Sequence, residues 1–472
     1  MAGRISKARL HLGRRHQRFL HLNSNRQCRK ISAAYEPGVM FKADTIAMTA
    51  LLALLTAFGP VATDMYVPSM PDIGRLLVAN TSAVQLTLSA YLVGFAVGQI
   101  IYGPISDHYG RKPVLLTALV LFCVASLACA AAPNIEALIA ARAVQALGGS
   151  GAIVLARAIV RDLYTGERAG RELSRMGAIM SFAPVLAPLI GGIVQAWFGW
   201  RANFIIIVAV GMATIVITWR SLPETLPHRP MAPIAVIGAI RSSGTIARNR
   251  VFWANLGIVA LSYAGLFAWI SGSPFVLQNL YGLSAFEFSV AFAIACIGSL
   301  VSAALAASLV MRIGMDRVIG IGTCALAAGG LAMIASLACG LPPVISFVLA
   351  MALYNAGLMF AMPQAIACAM MPFPDRAGAA SSLIGFVQQV SAAALGAFVG
   401  HMLGQSAWPL AGTLAATGSL ALALWAGSRG LRGDGIYVKT IKPGVQVAPF
   451  DGDIRRCDAY AAGSDIATLP SV

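Results

Sequence analysis

Twelve apolar stretches, each about as long as a helix needs to cross a bilayer, follow one another along this chain. They fall at roughly 44–67, 84–104, 113–132, 135–159, 174–197, 201–221, 251–273, 285–311, 317–340, 343–370, 377–403 and 407–428. The runs are continuous rather than alternating, so they read as helices and not as the strands of an outer-membrane barrel. Short breaks carrying Pro71, Gly110 to Pro113, Pro133-Asn134, Gly199-Trp200, Pro342-Pro343 and Pro372 to Asp375 separate them. Proline and glycine at such points punctuate helices. The longest internal break, Leu222 to Arg250, divides the spans into six and six. The sequence therefore predicts an all-α membrane protein of two six-helix bundles. A basic tail covers 1–43, the first bundle 44–221, a central loop 222–250, the second bundle 251–428 and a second tail 429–472.

Charge supports this division. Among 472 residues there are 34 Lys+Arg and 18 Asp+Glu, or 11% charged, against about 25% in a soluble domain. The tails take many of these, leaving 18 basic and 12 acidic residues over 44–428. A water-facing surface cannot be built from so few charges. With a mean hydropathy of +0.77, this excludes both an ordinary globular enzyme and a disordered chain. The net charge of +16 hints at nucleic acid, but the placement of the basic residues points elsewhere. If the N-terminus is cytoplasmic, 31 basic residues fall on the cytoplasmic side, only Arg75 and Arg201 on the other, and Arg142 inside a span. Such asymmetry is the positive-inside pattern. It puts both termini in the cytoplasm and calls for no nucleic-acid partner. The eight cysteines form no C-x-x-C pair, and six lie in apolar runs. They read as small buried hydrophobes rather than disulfides or metal ligands.

Three segments carry polar chemistry where packing alone does not call for it. Between spans two and three stands Gly103-Pro-Ile-Ser-Asp107-His108-Tyr-Gly110-Arg111-Lys112. Its glycines allow a sharp reversal, and Asp107 at a helix end can pair with a nearby arginine. A plainer reading is a stop-transfer loop with two positive charges. Span four contains Arg142-Ala-Val-Gln145-Ala146-Leu-Gly148-Gly149. An arginine inside a span costs about 2.5–3.5 kcal/mol on insertion scales, so it needs a partner or a wet cavity; snorkelling to the outer interface is the alternative. Span one ends in Thr63-Asp64-Met65-Tyr66-Val67-Pro68, and Asp64 is the one acid well inside a span. Asp64 lies at a depth similar to that of Arg142. It is read either as a carboxyl that trades a proton for substrate or as an interfacial cap for the turn at Pro68 to Pro71. Desolvation favours the neutral acid and a neighbouring guanidinium the ionised form, so its occupancy can change with conformation.

The loop spacing resembles the loop 2–3 signature of the major facilitator superfamily, with His108 where a basic residue is usual. The R-x-x-Q-x-x-G spacing resembles that superfamily's span-four motif, associated with proton coupling. Asp64-Met-Tyr-Val-Pro68, and Arg157-Ala-Ile-Val-Arg161-Asp162 further along span four, resemble its bicyclomycin/chloramphenicol-resistance (Bcr/CflA-type) subfamily. In span five, Ala183-Pro184-Val-Leu-Ala187-Pro188-Leu-Ile-Gly191-Gly192 is similar to the "antiporter" motif of exporters, with two alanines for glycines. Ordinary helix packing is the alternative there. The resemblance implies the major facilitator fold and proton coupling through Asp64, Arg142 and Gln145. It also implies a cytoplasmic latch of the outward-open state, made by Asp107 and Arg111 with Asp162 and flanked by Gly103, Gly110 and Lys112.

Weaker echoes mark the second half. Arg312-Ile-Gly314-Met-Asp316-Arg317 follows span eight as the first signature follows span two, and Gly110 and Gly314 stand 204 residues apart. Asp375-Arg376-Ala-Gly378 opens span eleven as in the subfamily. Tyr66, Tyr91, Tyr263, Trp269, Asn355, Gln364, Gln388 and Gln389 are candidate pathway residues, half or more of them expected to be helix glue. Few charges in the second half point to a neutral or weakly charged amphiphilic cargo. No G-x-x-x-x-G-K-[ST] loop or H-E-x-x-H is present, so ATP-driven transport and metal hydrolysis lack their parts; no metal or cofactor is expected.

The reading is a monomeric multidrug exporter of the bacterial inner membrane that exchanges small drug-like compounds for protons. Its rivals are a proton-coupled metabolite importer and a non-transporting receptor or assembly factor. The Arg-, His- and Ser-rich residues 1–39 resemble a transit peptide in composition, or an over-extended reading frame ahead of Met40. They are expected to be disordered or absent in the native protein. N-terminal mass spectrometry of the membrane-extracted protein checks this: an ordered, protease-resistant product beginning at Met1 or Ala2 refutes it.

Overall fold

A computed structural model describes residues 45–164, 166–226, 249–373, 377–404 and 406–431. The tails beyond them, Arg229, Arg241, Arg248 and the Asp375-Arg376 pair lie outside the described residues. Twelve helices there are long and apolar enough to cross a membrane. In the first half they are α1 (Ile46–Asp64), α2 (Thr81–Tyr109), α3 (Arg111–Ala130), α4 (Ile135–Leu163), α5 (Gly166–Phe198) and α6 (Trp200–Ser221). The second half holds α7 (Arg250–Pro274), α8 (Ala285–Ile313), α9 (Met315–Ala338), α10 (Pro343–Met370), α11 (Ala377–Met402) and α12 (Trp408–Gly427). No strand occurs among the described residues.

Several helices outrun the apolar stretches that mark them. α2 and α5 carry polar turns past the bilayer limits, because the backbone bonds continue wherever nothing interrupts them. Starts are set by side chains. Asn80, Asn134 and Asn249 each accept a hydrogen bond from the amide three residues on, at 2.8, 2.9 and 3.0 Å, and Ser284 forms a capping box with Glu287. α1 stops at Asp64 because Pro68, four residues on, has no N–H to continue the ladder. Two features have no counterpart in the hydropathy pattern: a short helix over Met70–Leu76 and a π-turn over Phe275–Leu280 that extends α7. Cys123, Cys129, Cys296 and Cys368 are buried as expected, but Cys324 and Cys339 are exposed. A face turned to acyl chains is as apolar as a core, so burial is not required of a thiol there.

Each half repeats one packing plan. α2 and α3 pack on α4, α1 lies on α4 and α5, and α3 on α6. Correspondingly, α8 and α9 pack on α10, α7 on α10 and α11, and α9 on α12. The repeat reaches single atoms. A Cβ added at Gly94 of α2 would stand 2.2 Å from the Ala143 carbonyl of α4, and one at Gly298 of α8 would stand 2.2 Å from the Ala352 carbonyl of α10. The loop glycines Gly110 and Gly314 share a conformation, with φ of 103° and 84°.

The halves meet where α2 lies along α11 and α5 along α8. The α2–α11 seam is antiparallel. Gln85 faces Gly400, Ser89 Oγ donates to the Ala393 carbonyl at 3.0 Å, and Gln99 faces Gly385. At the same end as Gln85, Gln278 of the π-turn donates to the Pro68 carbonyl at 3.1 Å, and Gly192 of α5 abuts Ser289 of α8. One helical turn past Gln99 the seam has parted. Gly103 has nothing within 4 Å of its Cβ position, and Ser381 and Ser382 opposite are exposed. The molecule is thus closed between its halves at the Pro68 end and open at the Arg111 end.

Gly191→Ala would place a methyl 2.2 Å from the Met65 carbonyl oxygen; overpacking of that kind costs about 1–3 kcal/mol. It is expected to lower the melting temperature of the detergent-solubilised protein by several degrees, while Gly103→Ala, at the parted seam, leaves it unchanged.

Candidate functional site

The end of α1 leaves carbonyls without helical donors, and Arg142 of α4 uses one. Its Nη1 donates to the Ala62 carbonyl at 3.0 Å and to Gln145 Oε1 at 2.6 Å. Gln145 in turn donates through Nε2 to Ser126 Oγ of α3 at 2.7 Å. The guanidinium carbon lies 4.5 Å from the Tyr66 ring centroid and 4.4 Å from that of Tyr91, with Phe204 at 5.8 Å. Arg142 is thus fully buried between two aromatic faces and does not snorkel. The ring quadrupoles and a helix end answer its charge. Tyr66 is held by a 2.7 Å bond with Thr87 Oγ1, and Tyr91 donates to the Gly59 carbonyl at 3.2 Å.

Asp64 is buried, yet it makes no ion pair with Arg142 or any other described cation. Its partner in the structure is the Thr63 hydroxyl, 3.2 Å from Oδ1. It does not cap the turn at Pro68 to Pro71: no described backbone amide there donates to its carboxyl, and the Ser69 amide bonds to the Tyr66 carbonyl instead. Its charge acts on Tyr91 of α2 and, across the interface, on Tyr263 of α7 and Cys296 of α8. Tyr263 meets the Gln389 side chain of α11. The carboxyl therefore stands where the two halves face each other, among tyrosines from both.

The remaining pathway candidates separate. Asn355 donates to the Ala295 carbonyl of α8 at 2.9 Å and ties two helices together. Tyr66 is a platform for Arg142 and is itself buried. Trp269 is fully buried, with no protein acceptor for its indole N–H. Gln364 and Gln388 are half-buried. In α5 the helix runs unbroken through Pro184 and Pro188. Gly191 lets α1 approach at Met65, and Gly192 lets α8 approach at Ser289. The small residues of this segment thus serve contact inside one half and between halves.

At the opposite end the loop residues assemble around Arg111. Its Nη1 lies 2.6 Å from Asp107 Oδ1 and 2.6 Å from Ser106 Oγ, and its Nε lies 2.9 Å from Asp162 Oδ2. One residue here had escaped notice. Glu224, just past α6, accepts the Arg111 amide at 2.9 Å and the Lys112 amide at 3.2 Å. It caps the start of α3, where bare N–H groups attract an anion. A Cβ at Gly110 would stand 2.5 Å from its Oε2, so glycine is needed there for space as well as for a φ of 103°. The only signal in the sequence is an acid immediately after a span on the side otherwise rich in arginine. His108 packs edge-on to Tyr109 at 4.8 Å, and Lys112 contributes its backbone amide.

Comparison with known proteins agrees with this architecture. The family model of the Major Facilitator Superfamily matches residues 52–397. This chain belongs to that superfamily. A Haemophilus influenzae protein named bicyclomycin resistance protein homolog is 27% identical over 367 residues, covering 77% of this chain and 92% of that one. A chloramphenicol resistance protein of Pseudomonas aeruginosa is 29% identical, with coverages of 82% and 93%. Multidrug resistance protein D of Escherichia coli is 33% identical, with coverages of 73% and 86%. Among solved structures, a partially occluded inward-open form of the E. coli xylose transporter XylE superposes with a TM-score of 0.65 at 15% identity, covering 82% of this chain and 98% of that one. The chain is a multi-pass membrane transporter whose relatives are transporters, not enzymes.

Glu224→Ala is expected to speed amide exchange of the first turn of α3 about tenfold, the factor given by loss of a cap worth ~1–1.5 kcal/mol. Hydrogen-exchange mass spectrometry of the peptide spanning Arg111 reads this directly, with Glu224→Gln falling between.

Proposed function

We propose that the protein is a secondary exporter of small amphiphilic compounds in exchange for protons, working by alternating access in the bacterial inner membrane. The Arg111 end and both termini then face the cytoplasm, in line with the distribution of basic residues. The observation that carries this reading is Asp64, a buried acid without a cation, set between tyrosines of both halves. A lone carboxylate is expensive to hold away from water and a neutral carboxylic acid far less so. Proton loss toward the cytoplasm favours substrate capture, and proton gain from outside favours its release there. One proton entering down 100 mV supplies about 2.3 kcal/mol, which supports roughly a 50-fold gradient of a neutral solute.

Arg142 is the fixed part of this device. Its stacking on Tyr66 and Tyr91 ties α4 to α1 and α2, so a change of charge at Asp64 is passed to three helices. The Arg111–Asp107–Asp162 cluster supports a role as the latch that holds the cytoplasmic ends of the first half in one arrangement. Two relatives carry resistance to chloramphenicol and bicyclomycin in their names, and those compounds head the panel to be tried in a pump-deficient host.

In everted vesicles energised with a pH gradient, wild-type protein is expected to accumulate whichever panel compound it protects against, and Asp64→Asn to lose this accumulation while remaining in the membrane. Coupled accumulation undiminished in Asp64→Asn rejects the assignment. Arg142→Gln is expected to lose at least tenfold in rate, because the buried Gln145 amide and Ala62 carbonyl lose their ionic partner.

A further inference from the structure

α4 carries a second pair of arginines that neither the Asp64 site nor the Arg111 latch uses. Around Arg157 the helix is sealed: Leu155, Ala156, Ala158, Ile159 and Val160 are all buried. Arg157 itself is exposed, as is Arg161 one turn on. The direction in which Arg157 points follows from its neighbours. Ser150 and Ala143, one and two heptads earlier, face Gly98 and Gly94 of α2. Arg142 and Ile153 face α1, and Gly148 and Gly151 face α3. At 3.6 residues per turn, Arg157 falls between the α1 side and the α2 side, away from α3. That is the side on which the second half lies, at the level where the α2–α11 seam has parted beside Gly103.

Neither guanidinium has an acidic or carbonyl partner among the described residues. The nearby acids are taken: Asp162 by Arg111 and Thr225, and Glu172 by Thr49 and Arg175. Two like charges four residues apart on a helix repel, and no acid among the described residues pairs with either of them. We propose that Arg157, with Arg161, is a docking site for the acidic group of an amphiphile entering the gap, a carboxylate, sulfonate or phosphate met by a planar guanidinium fork. The inference rests on the reading of this gap as the substrate pathway. It adds to the amphiphilic cargo compounds with one acidic group and an apolar body, first held at Arg157 and then passed toward the tyrosines around Asp64.

The test uses a matched pair of probes, naphthalene-2-sulfonate and the neutral naphthalene-2-sulfonamide, titrated into the full-length protein in phosphatidylcholine nanodiscs. Wild-type protein is expected to prefer the sulfonate about tenfold, the worth of a charge-assisted bond. Arg157→Gln removes that preference, and Arg157→Lys keeps part of it. The sulfonamide reports folding, since its binding stays level in all three proteins. Replacing part of the lipid with phosphatidylglycerol identifies the source of the anion. A weakened sulfonate supports a lipid headgroup as occupant, and an unchanged one supports a soluble acid. Equal affinity of wild type for both probes, or a full sulfonate preference in Arg157→Gln, overturns the proposal. No gradient is applied, so a failure here is distinct from a failure of proton coupling at Asp64.

Discussion

A charge held inside an apolar slab must be answered from close by, and this protein answers two of them in opposite ways. Arg142 is met at Nη1 by a helix-end carbonyl and the Gln145 amide oxygen and on both faces by Tyr66 and Tyr91, while its Nε and Nη2 are buried without a hydrogen-bond partner among the described residues. Asp64 has one neighbouring hydroxyl and, among the described residues, no cation paired with it. The first arrangement suits a permanent ion. The second suits a group whose charge can be removed, because protonation is the cheapest relief for an unpaired buried carboxyl. The helices around both sites follow from this contrast. α1 must end where its carbonyl meets Arg142, and α5 must approach closely enough to hold that end.

Close approach depends on side chains that are missing. The contacts that bring α2 against α4, α5 against α1 and α5 against α8 pass through Gly94, Gly191 and Gly192, each too near a neighbour to accept even a methyl group. In a bilayer there is little hydrophobic gain from pressing two helices together, so association relies on fitted surfaces of small residues. The seam between the halves uses the same means with polar edges. Gln85 and Gln99 lie against glycine, and Ser89 donates to a helix carbonyl. Such contacts fit closely when shut and are readily hydrated when parted.

The two ends of the molecule are built differently. At the Pro68 end the halves touch, through Gln278 and Ser289. The Arg111 end is fastened within the first half: Arg111, Asp107, Asp162 and Glu224 join α2, α3, α4 and the segment after α6. A bundle tied within itself at one end and resting on its partner at the other can tilt as a body.

The number of spans was legible from apolar run length, because hydrocarbon thickness acts on each segment separately, and the transporter class from the motif spacings that resemble the superfamily. Asp64, Arg142, Gln145, Arg111 and Asp162 could be singled out in the sequence, since a charged or strongly polar group at a fixed spacing in or beside an apolar run stands out. Partnership was not legible. Two ions of opposite sign at equal depth suggest a pair, yet packing turned Arg142 onto Tyr66 and Tyr91 and left Asp64 facing α7 and α8. Glu224 and the orientation of Arg157 emerged only in three dimensions, because each depends on which helix lies alongside. That is decided by the sum of many close contacts between distant segments, of which the linear order carries no local trace.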